Sequence, residues 1–260
     1  MDKKETIRKL KKNLLEFSRL DESIRNDREI ILASLNQDVF IIPYINESFQ
    51  KDKNLILQII SKNGINLKYT TLDLKSDREI VLAAVLNNGE SLEFAHHYFK
   101  EDRDIVFLAV SNSGGALEFA SEDLRDDKDI VLKAVKENGL ALEFASERLK
   151  MDDEVTIAAV KQHGWALSMV AKELKDNEKI VSLAVRKSGY ALSYASERLQ
   201  NDKSMLVLFE NYYLKKDILK SLLIQDYYNK CHAKLNIIRE QEYLEKTTPN
   251  NNIKPKVKKF

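Results

Sequence analysis

The chain repeats itself every 25 residues. Aspartate recurs at that spacing, with asparagine in the one slot that lacks it: Asp27, Asp52, Asp77, Asp102, Asp127, Asp152, Asn177 and Asp202. If this residue is position 0, position 12 is glycine in six consecutive units: Gly64, Gly89, Gly114, Gly139, Gly164 and Gly189. A period of about 20 to 50 residues indicates a repeat architecture, in which stacked units bury the apolar faces that none can bury alone.

The apolar residues of each unit have helical spacing. They recur at positions 3, 4, 7 and 8, and again at 15, 18 and 22, whereas a strand would alternate every second residue. In the unit that starts at Asp77, the aspartate predicts an N-cap, and Gly89 predicts a left-handed residue that ends a first helix over residues 77–88. A second helix is expected from about position 13 to position 22. Position 19 supplies candidate caps for a separate last turn: Ser121, Ser146 and Ser196.

These patterns predict an all-α fold, an α-solenoid of about seven 25-residue two-helix repeats with helical caps. Residues 1–26 are expected to form an N-terminal capping helix and residues 27–201 the solenoid. Residues 202–246 are expected to form C-terminal capping helices, and residues 247–260 a disordered basic tail. Only 7 glycines and 3 prolines occur, which disfavours a turn-rich β-sandwich or barrel.

The unit at residues 127–152 reads DKDIVLKAVKENGLALEFASERLKMD. It resembles the repeat family catalogued as domain of unknown function 4116, and the resemblance covers residues 52–202 well and 27–51 more loosely. That family is found in protists, large DNA viruses and some intracellular bacteria. The resemblance implies a helical-repeat fold and supplies no catalytic residue, cofactor or substrate.

Residues with catalytic or metal-binding chemistry are few, so we expect no enzyme activity, cofactor or metal site. His96 and His97 are sequential, and on a helix they would point to different sides rather than form a metal pair. Cys231 beside His232 is expected to be a buried structural thiol rather than a nucleophile. The single Cys excludes a disulfide framework. No apolar run reaches about 18 residues and no signal-peptide core is present, so we expect no transmembrane segment and a cytoplasmic location.

Charge is distributed unevenly along the chain. Residues 1–20 carry a net charge of +4 and residues 246–260 carry +5, so residues 21–245 carry −8. An acidic body repels a phosphate backbone, which makes nucleic-acid binding along the solenoid unfavourable. Position 16 is glutamate in three consecutive units: Glu93, Glu118 and Glu143. Stacked repeats would align these side chains as an acidic stripe that steers a basic partner, and a solvated face without function is the alternative.

Position 13 carries large side chains in three consecutive units, Leu140, Trp165 and Tyr190. Aromatic residues dominate binding hot spots, which favours a partner-binding row, while packing between neighbouring helices is the alternative. We therefore expect a non-catalytic, monomeric scaffold that binds a partner protein with a basic segment. The alternative function is that of a helical-repeat enzyme, or of a nucleic-acid-associated protein that uses its basic termini.

Overall fold

A computed structural model describes residues 2–12, 16–35, 40–216 and 222–247 of the chain, and these residues form helices without a strand. Consecutive repeats pack side by side in tandem, and from Lys53 onward the first helix of one repeat packs against that of the next. The chain is an all-α repeat solenoid, as predicted. We number its repeats 1 to 7, starting at Asp27, Asp52, Asp77, Asp102, Asp127, Asp152 and Asn177.

Each repeat has three elements rather than two. The first is an α-helix: Arg28–Ser34, Lys53–Lys62, Arg78–Asn87, Arg103–Asn112, Lys128–Glu137, Asp153–Gln162 and Glu178–Lys187. The second is a 3₁₀ helix: Ile42–Tyr44, Gly64–Tyr69, Gly89–Phe94, Gly114–Phe119, Gly139–Phe144, Gly164–Ser168 and Gly189–Tyr194. The third is a short helix: Glu47–Gln50, Leu72–Lys75, His97–Lys100, Glu122–Arg125, Glu147–Lys150, Lys172–Asp176 (a 3₁₀ helix) and Glu197–Gln200.

The predicted second helix is thus divided, at the place that the serines indicated. Ser121, Ser146 and Ser196 each accept the N–H of the residue three positions later, which caps the short helix. At this division the backbone turns toward the preceding repeat, and the N–H at position 19 donates to the carbonyl at position 23 of that repeat. Ser121 N–H, for example, bonds the Lys100 carbonyl at 2.9 Å. The division therefore supplies a backbone hydrogen bond to each interface from that of repeats 2 and 3 to that of repeats 6 and 7.

The first helix forms the core of the stack. In repeat 3, Ile80, Val81, Ala84 and Val85, at positions 3, 4, 7 and 8, have no exposed surface. Leu92 at position 15 is equally buried and packs from the 3₁₀ helix. Position 0 caps the first helix as predicted, since Asp77 accepts the N–H groups of residues 79 and 80.

The predicted role of the glycines was wrong, because none of the six at position 12 has a positive φ. In these repeats the first helix ends one residue earlier than predicted, and the glycine is the first residue of the 3₁₀ helix. Glycine is required there for close approach. A Cβ on Gly89 would lie 2.2 Å from the Ala109 carbonyl oxygen of the next repeat, and one on Gly114 would lie 2.4 Å from that of Ala134. The regular spacing of glycine along the chain therefore reflects close contact between repeats rather than a turn of the backbone.

The N-terminal segment, predicted as one capping helix, has the same three elements in the same register. They are Lys3–Lys11, Phe17–Arg19 and Glu22–Arg25, which follow Asp2 as later elements follow Asp27. At the other end, the last two helices are longer, Lys203–Lys216 and Leu222–Thr247, and they pack against each other. The predicted basic tail, except Thr247, lies outside the described residues.

Candidate binding surface

The 3₁₀ helices place positions 13 and 16 on one side of the solenoid. A 3₁₀ helix has three residues per turn, so side chains three apart eclipse each other. Consecutive 3₁₀ helices pack together along repeats 2 to 7. We call this surface the 3₁₀ face and define it by positions 13 and 16 of repeats 3 to 7: Glu90, Glu93, Gly115, Glu118, Leu140, Glu143, Trp165, Ser168, Tyr190 and Ser193. The glutamates and the aromatic residues singled out in the sequence therefore share one surface.

One end of the 3₁₀ face is acidic. Glu93, Glu118 and Glu143 are all exposed, and no ion pair among the described residues involves them. Glu90 adds a fourth exposed carboxylate at position 13 of repeat 3. Nothing in this arrangement holds two carboxylates together for acid–base chemistry. The stripe is a source of negative potential on an open surface.

The other end is aromatic and borders a cleft. The Trp165 ring is 46% exposed and is not buried between repeats. Its Nε1–H donates to Ser188 Oγ at 3.1 Å, and its centroid lies 6.0 Å from that of Tyr190. Beside it opens a cleft of about 420 Å³, lined by Leu140, His163, Gly164, Trp165, Lys187, Ser188 and Tyr212. Leu140 and Trp165 thus line a common cleft, while Tyr190 supports the Trp165 ring from its side.

Neighbouring repeats are linked by ion pairs that the sequence analysis did not anticipate. A basic residue at position 1 binds the capping aspartate of the next repeat, as Lys53 binds Asp77 at 2.7 Å and Arg103 binds Asp127 at 2.9 Å. The described residues contain six such pairs: Lys3–Asp27, Arg28–Asp52, Lys53–Asp77, Arg78–Asp102, Arg103–Asp127 and Lys128–Asp152. In the sequence, the recurrence of an acid at position 0 followed by a base at position 1 was the signal that could have predicted these pairs.

This series of pairs stops at repeat 6. Position 1 there is Asp153, and position 0 of repeat 7 is Asn177. Both residues depart together from the pattern, so the interface between repeats 6 and 7 has neither the base nor the acid of this series, and its ion pair joins Arg198 to Asp176 instead. The uncharged Asn177 avoids a repulsion between two carboxylates and still caps its helix, since its side chain accepts the N–H groups of residues 179 and 180.

The ion pairs keep the capping aspartates ionised. At Asp102, burial by itself raises the pKa, but the hydrogen bonds from Arg78 and from the Ile105 N–H outweigh it and leave the pKa below its ordinary value. The same balance lowers the pKa of Asp77, Asp127 and Asp152. Each cap is therefore coupled to the preceding repeat through one carboxylate.

Side-chain amides form a second connection between repeats. Asn87, at position 10 of repeat 3, accepts the Gly64 N–H of repeat 2 at 2.7 Å and donates to the Ser61 carbonyl at 3.1 Å. Asn112 does the same with Gly89 (2.8 Å) and the Leu86 carbonyl (3.0 Å). Gln162 bonds Gly139 (2.7 Å) and the Glu137 carbonyl (3.1 Å). We call this arrangement the amide bridge.

The repeats match the family model described as Domain of unknown function (DUF4116) at residues 7–50, 52–100, 77–125, 102–150, 127–175 and 177–207. The chain belongs to this family. No curated protein and no solved structure matches it. Most of the DUF4116 matches span two consecutive repeats, and the first includes much of the N-terminal segment, in agreement with the repeat-like elements found there.

The histidine and cysteine side chains of this DUF4116 protein make contacts within the chain and form no catalytic pair among the described residues. His163 Nδ1 accepts the Trp165 N–H at 3.3 Å and caps the 3₁₀ helix where other repeats use asparagine. Burial raises the pKa of the Cys231 thiol, which opposes thiolate formation. His232 instead lies 3.0 Å from Glu210, so Cys231 and His232 do not act as a pair.

His96 and His97 were expected on different sides of a helix, but His96 is the N-cap of its short helix and the ring centroids are 4.3 Å apart. In the described ranges, no group of three or more His, Cys, Asp or Glu residues is arranged to hold a metal ion. None of the helices within those ranges is sufficiently long and apolar to span a membrane.

Proposed function

We propose that this DUF4116 protein is a non-catalytic scaffold whose 3₁₀ face binds a partner protein. The observation that carries the proposal is Trp165, a large aromatic side chain that is half exposed yet held by Ser188 and Tyr190. A ring fixed in this way loses little conformational entropy on binding, because its position is already defined. It also borders a cleft large enough for a side chain of a partner.

The charge of the 3₁₀ face defines the chemistry of the partner. A segment that lies along repeats 3 to 7 would meet Glu93, Glu118 and Glu143 first and then Trp165. Basic residues suit the acidic end and an apolar side chain suits the aromatic end. The carboxylates are exposed, so they accelerate association more than they tighten the complex, and their effect falls with salt. We propose that a monomeric chain binds this segment in the cytoplasm.

The alternative function at the basic termini now has less support from the N-terminus. Lys3 pairs with Asp27 at 2.7 Å, Arg8 with Glu5 at 2.7 Å and Arg19 with Glu16 at 2.8 Å. These bases are already paired with carboxylates of the same chain. A nucleic-acid function would therefore depend on the N-terminal bases outside these pairs and on the lysines of residues 247–260, which lie outside the described residues.

The test is affinity isolation of a partner from the native source, followed by measurement of Kd with two matched variants. Trp165→Ala is expected to weaken binding by about 2 kcal/mol or more, roughly 30-fold, with little change in helicity. Phe107→Ala removes an aromatic ring of comparable exposure from a first helix, away from the 3₁₀ face, and is expected to leave Kd unchanged. Equal loss in both variants, or loss explained by unfolding of Trp165→Ala, would reject the proposal.

A further inference from the structure

The cleft beside Trp165 coincides with a missing amide bridge. In repeats 2, 3 and 5 the N–H of the position-12 glycine donates to an amide oxygen at position 10 of the next repeat. At the interface between repeats 6 and 7 that position is Lys187, and an ammonium group has no acceptor to offer. Gly164 N–H accordingly has no acceptor among the described residues. Gly164 and Lys187 both line the cleft.

The three existing bridges show which group fits this place. Each amide uses both of its ends, since its oxygen accepts from the glycine N–H and its nitrogen donates to a carbonyl at the end of the first helix. In repeat 6 the corresponding carbonyls belong to Lys161 and Gln162. One donor and one acceptor side by side match a primary amide, which carries both functions in one plane.

A carboxylate fits less well, and the chain itself provides the comparison. Position 10 of repeat 5 is Glu137, which stands in the register that would bridge to Gly114 of repeat 4. Its carboxylate does not accept the Gly114 N–H and binds Lys133 at 2.7 Å instead. A carboxylate at this position meets helix-end carbonyls, which repel it, because it has only acceptors.

We propose that the cleft between repeats 6 and 7 receives the side-chain amide of an Asn or Gln of the partner protein. The partner amide takes the place that Asn87, Asn112 and Gln162 take at other interfaces, and its neighbouring atoms pack on Trp165. This inference rests on the proposed function and deepens it, because it identifies the side chain that occupies the cleft. A partner with this residue completes the amide bridge that the chain lacks at this interface. The spacing of the repeats would therefore determine where the partner side chain binds.

The inference can be tested on the whole chain without a partner. ¹H–¹⁵N NMR spectra are recorded while N-acetyl-asparagine methylamide is added, and the aspartate and leucine analogues serve as comparisons. We expect saturable shifts of the Gly164 amide and the Trp165 indole N–H with the asparagine compound at millimolar concentration. The leucine analogue is expected to leave the Gly164 amide unshifted, and the aspartate analogue to shift it several-fold less.

Two variants at one position make the test decisive. Lys187→Asn supplies the amide from within the chain, so it is expected to raise the melting temperature, slow hydrogen exchange at Gly164 and abolish the response to the asparagine compound. Lys187→Ala removes the ammonium group without supplying an amide and is expected to keep that response. Circular dichroism confirms that both variants are folded.

Three results would overturn the inference: no shift of Gly164 with the asparagine compound, a larger shift with the aspartate compound, or an undiminished response in folded Lys187→Asn. The proposed function fails separately. If a partner bound in a Trp165-dependent way but with equal Kd to wild type and Lys187→Asn, the scaffold would stand and the amide site would fall.

Discussion

The interface between repeats 3 and 4 and the interface between repeats 6 and 7 have the same core and different polar contacts. The first has the Arg78–Asp102 ion pair and the Asn112 amide bridge to Gly89. The second has neither. Asp153 and Asn177 stand at the two positions of the ion pair, and Lys187 stands where the bridging Asn or Gln would be. Both keep the backbone bond at position 19, Ser121 to Lys100 and Ser196 to Lys175, each at 2.9 Å.

The difference shows which contacts hold the stack together. Ile105 and Val106 in repeat 4 and Ile180 and Val181 in repeat 7 are all fully buried. Apolar burial and the backbone bond are thus common to both interfaces, and the polar side-chain contacts differ between them. The interface that lacks these two recurrent contacts is also the one at which the cleft opens, although it keeps the Trp165–Ser188 hydrogen bond and an Arg198–Asp176 ion pair. In the described part of this solenoid, the candidate binding site lies where the amide bridge and the position-1 ion pair are both absent.

Low pH is expected to produce the largest difference in stability between the repeats with ion-paired aspartate caps and repeat 7. The pKa of each paired capping aspartate is lowered in the folded chain, so the unfolded chain binds more protons and stability rises with pH. This stability is present above the ordinary Asp pKa of about 3.9 and is lost as pH falls through the lowered values. With about 0.5 kcal/mol for each cap, the total loss is on the order of 3 kcal/mol.

Hydrogen exchange at pH 7 and pH 3, corrected for intrinsic rates, measures this contrast. The first helices of repeats 3 to 5 should lose protection, whereas the first helix of repeat 7, capped by the untitratable Asn177, should lose less. Uniform loss across all repeats would show that the ion pairs do not set the acid sensitivity.

Substitution of two adjacent glycines distinguishes a steric requirement for close approach between repeats from a requirement for backbone freedom. Gly114→Ala places a Cβ 2.4 Å from the Ala134 carbonyl oxygen, and we expect a loss of about 2–3 kcal/mol in unfolding free energy, as in other overpacked sites. Gly115→Ala meets nothing nearer than 3.7 Å and is expected to be neutral or stabilising by up to about 1 kcal/mol. Urea denaturation of both variants measures the difference, and similar values would contradict the steric account.

Removal of two caps compares an ion-paired aspartate with an unpaired asparagine. Asp102→Ala loses the cap and the Arg78 pair, and we expect a cost of about 1–2 kcal/mol at pH 7. Asn177→Ala loses a cap alone and is expected to cost about 1 kcal/mol. The difference should disappear in about 1 M salt, where exposed charges are screened. A difference that persists at high salt would assign the extra cost to packing instead.

Rebuilding the missing ion pair has the smallest expected effect. Asp153→Lys combined with Asn177→Asp restores the pattern of repeats 1 to 5 at the deficient interface. We expect the double variant to gain about 0.5 kcal/mol over the sum of the single variants, because Asn177→Asp alone places a second carboxylate near Asp153. Thermal unfolding of the four proteins gives the coupling energy. Additive effects would indicate that the two side chains do not meet.

The sequence alone determined the repeat, its phase and the helical character of its apolar positions. These follow from local chemistry, since buried residues recur at helical spacing and Asp77 or Asn177 caps its own helix from the residue just before it. The division at Ser121 and its equivalents was also visible, because a capping side chain acts on a backbone N–H only three residues away.

Tertiary structure decided everything that joins one repeat to the next. Gly89 has a space requirement set by a carbonyl 20 residues away, and the partners of Arg103 and Asn112 lie 24 and 23 residues away. Local propensities contain no information on such distances. The Trp165 cleft depends on residues from three repeats and from the helix Lys203–Lys216, so it exists only after stacking has brought them together.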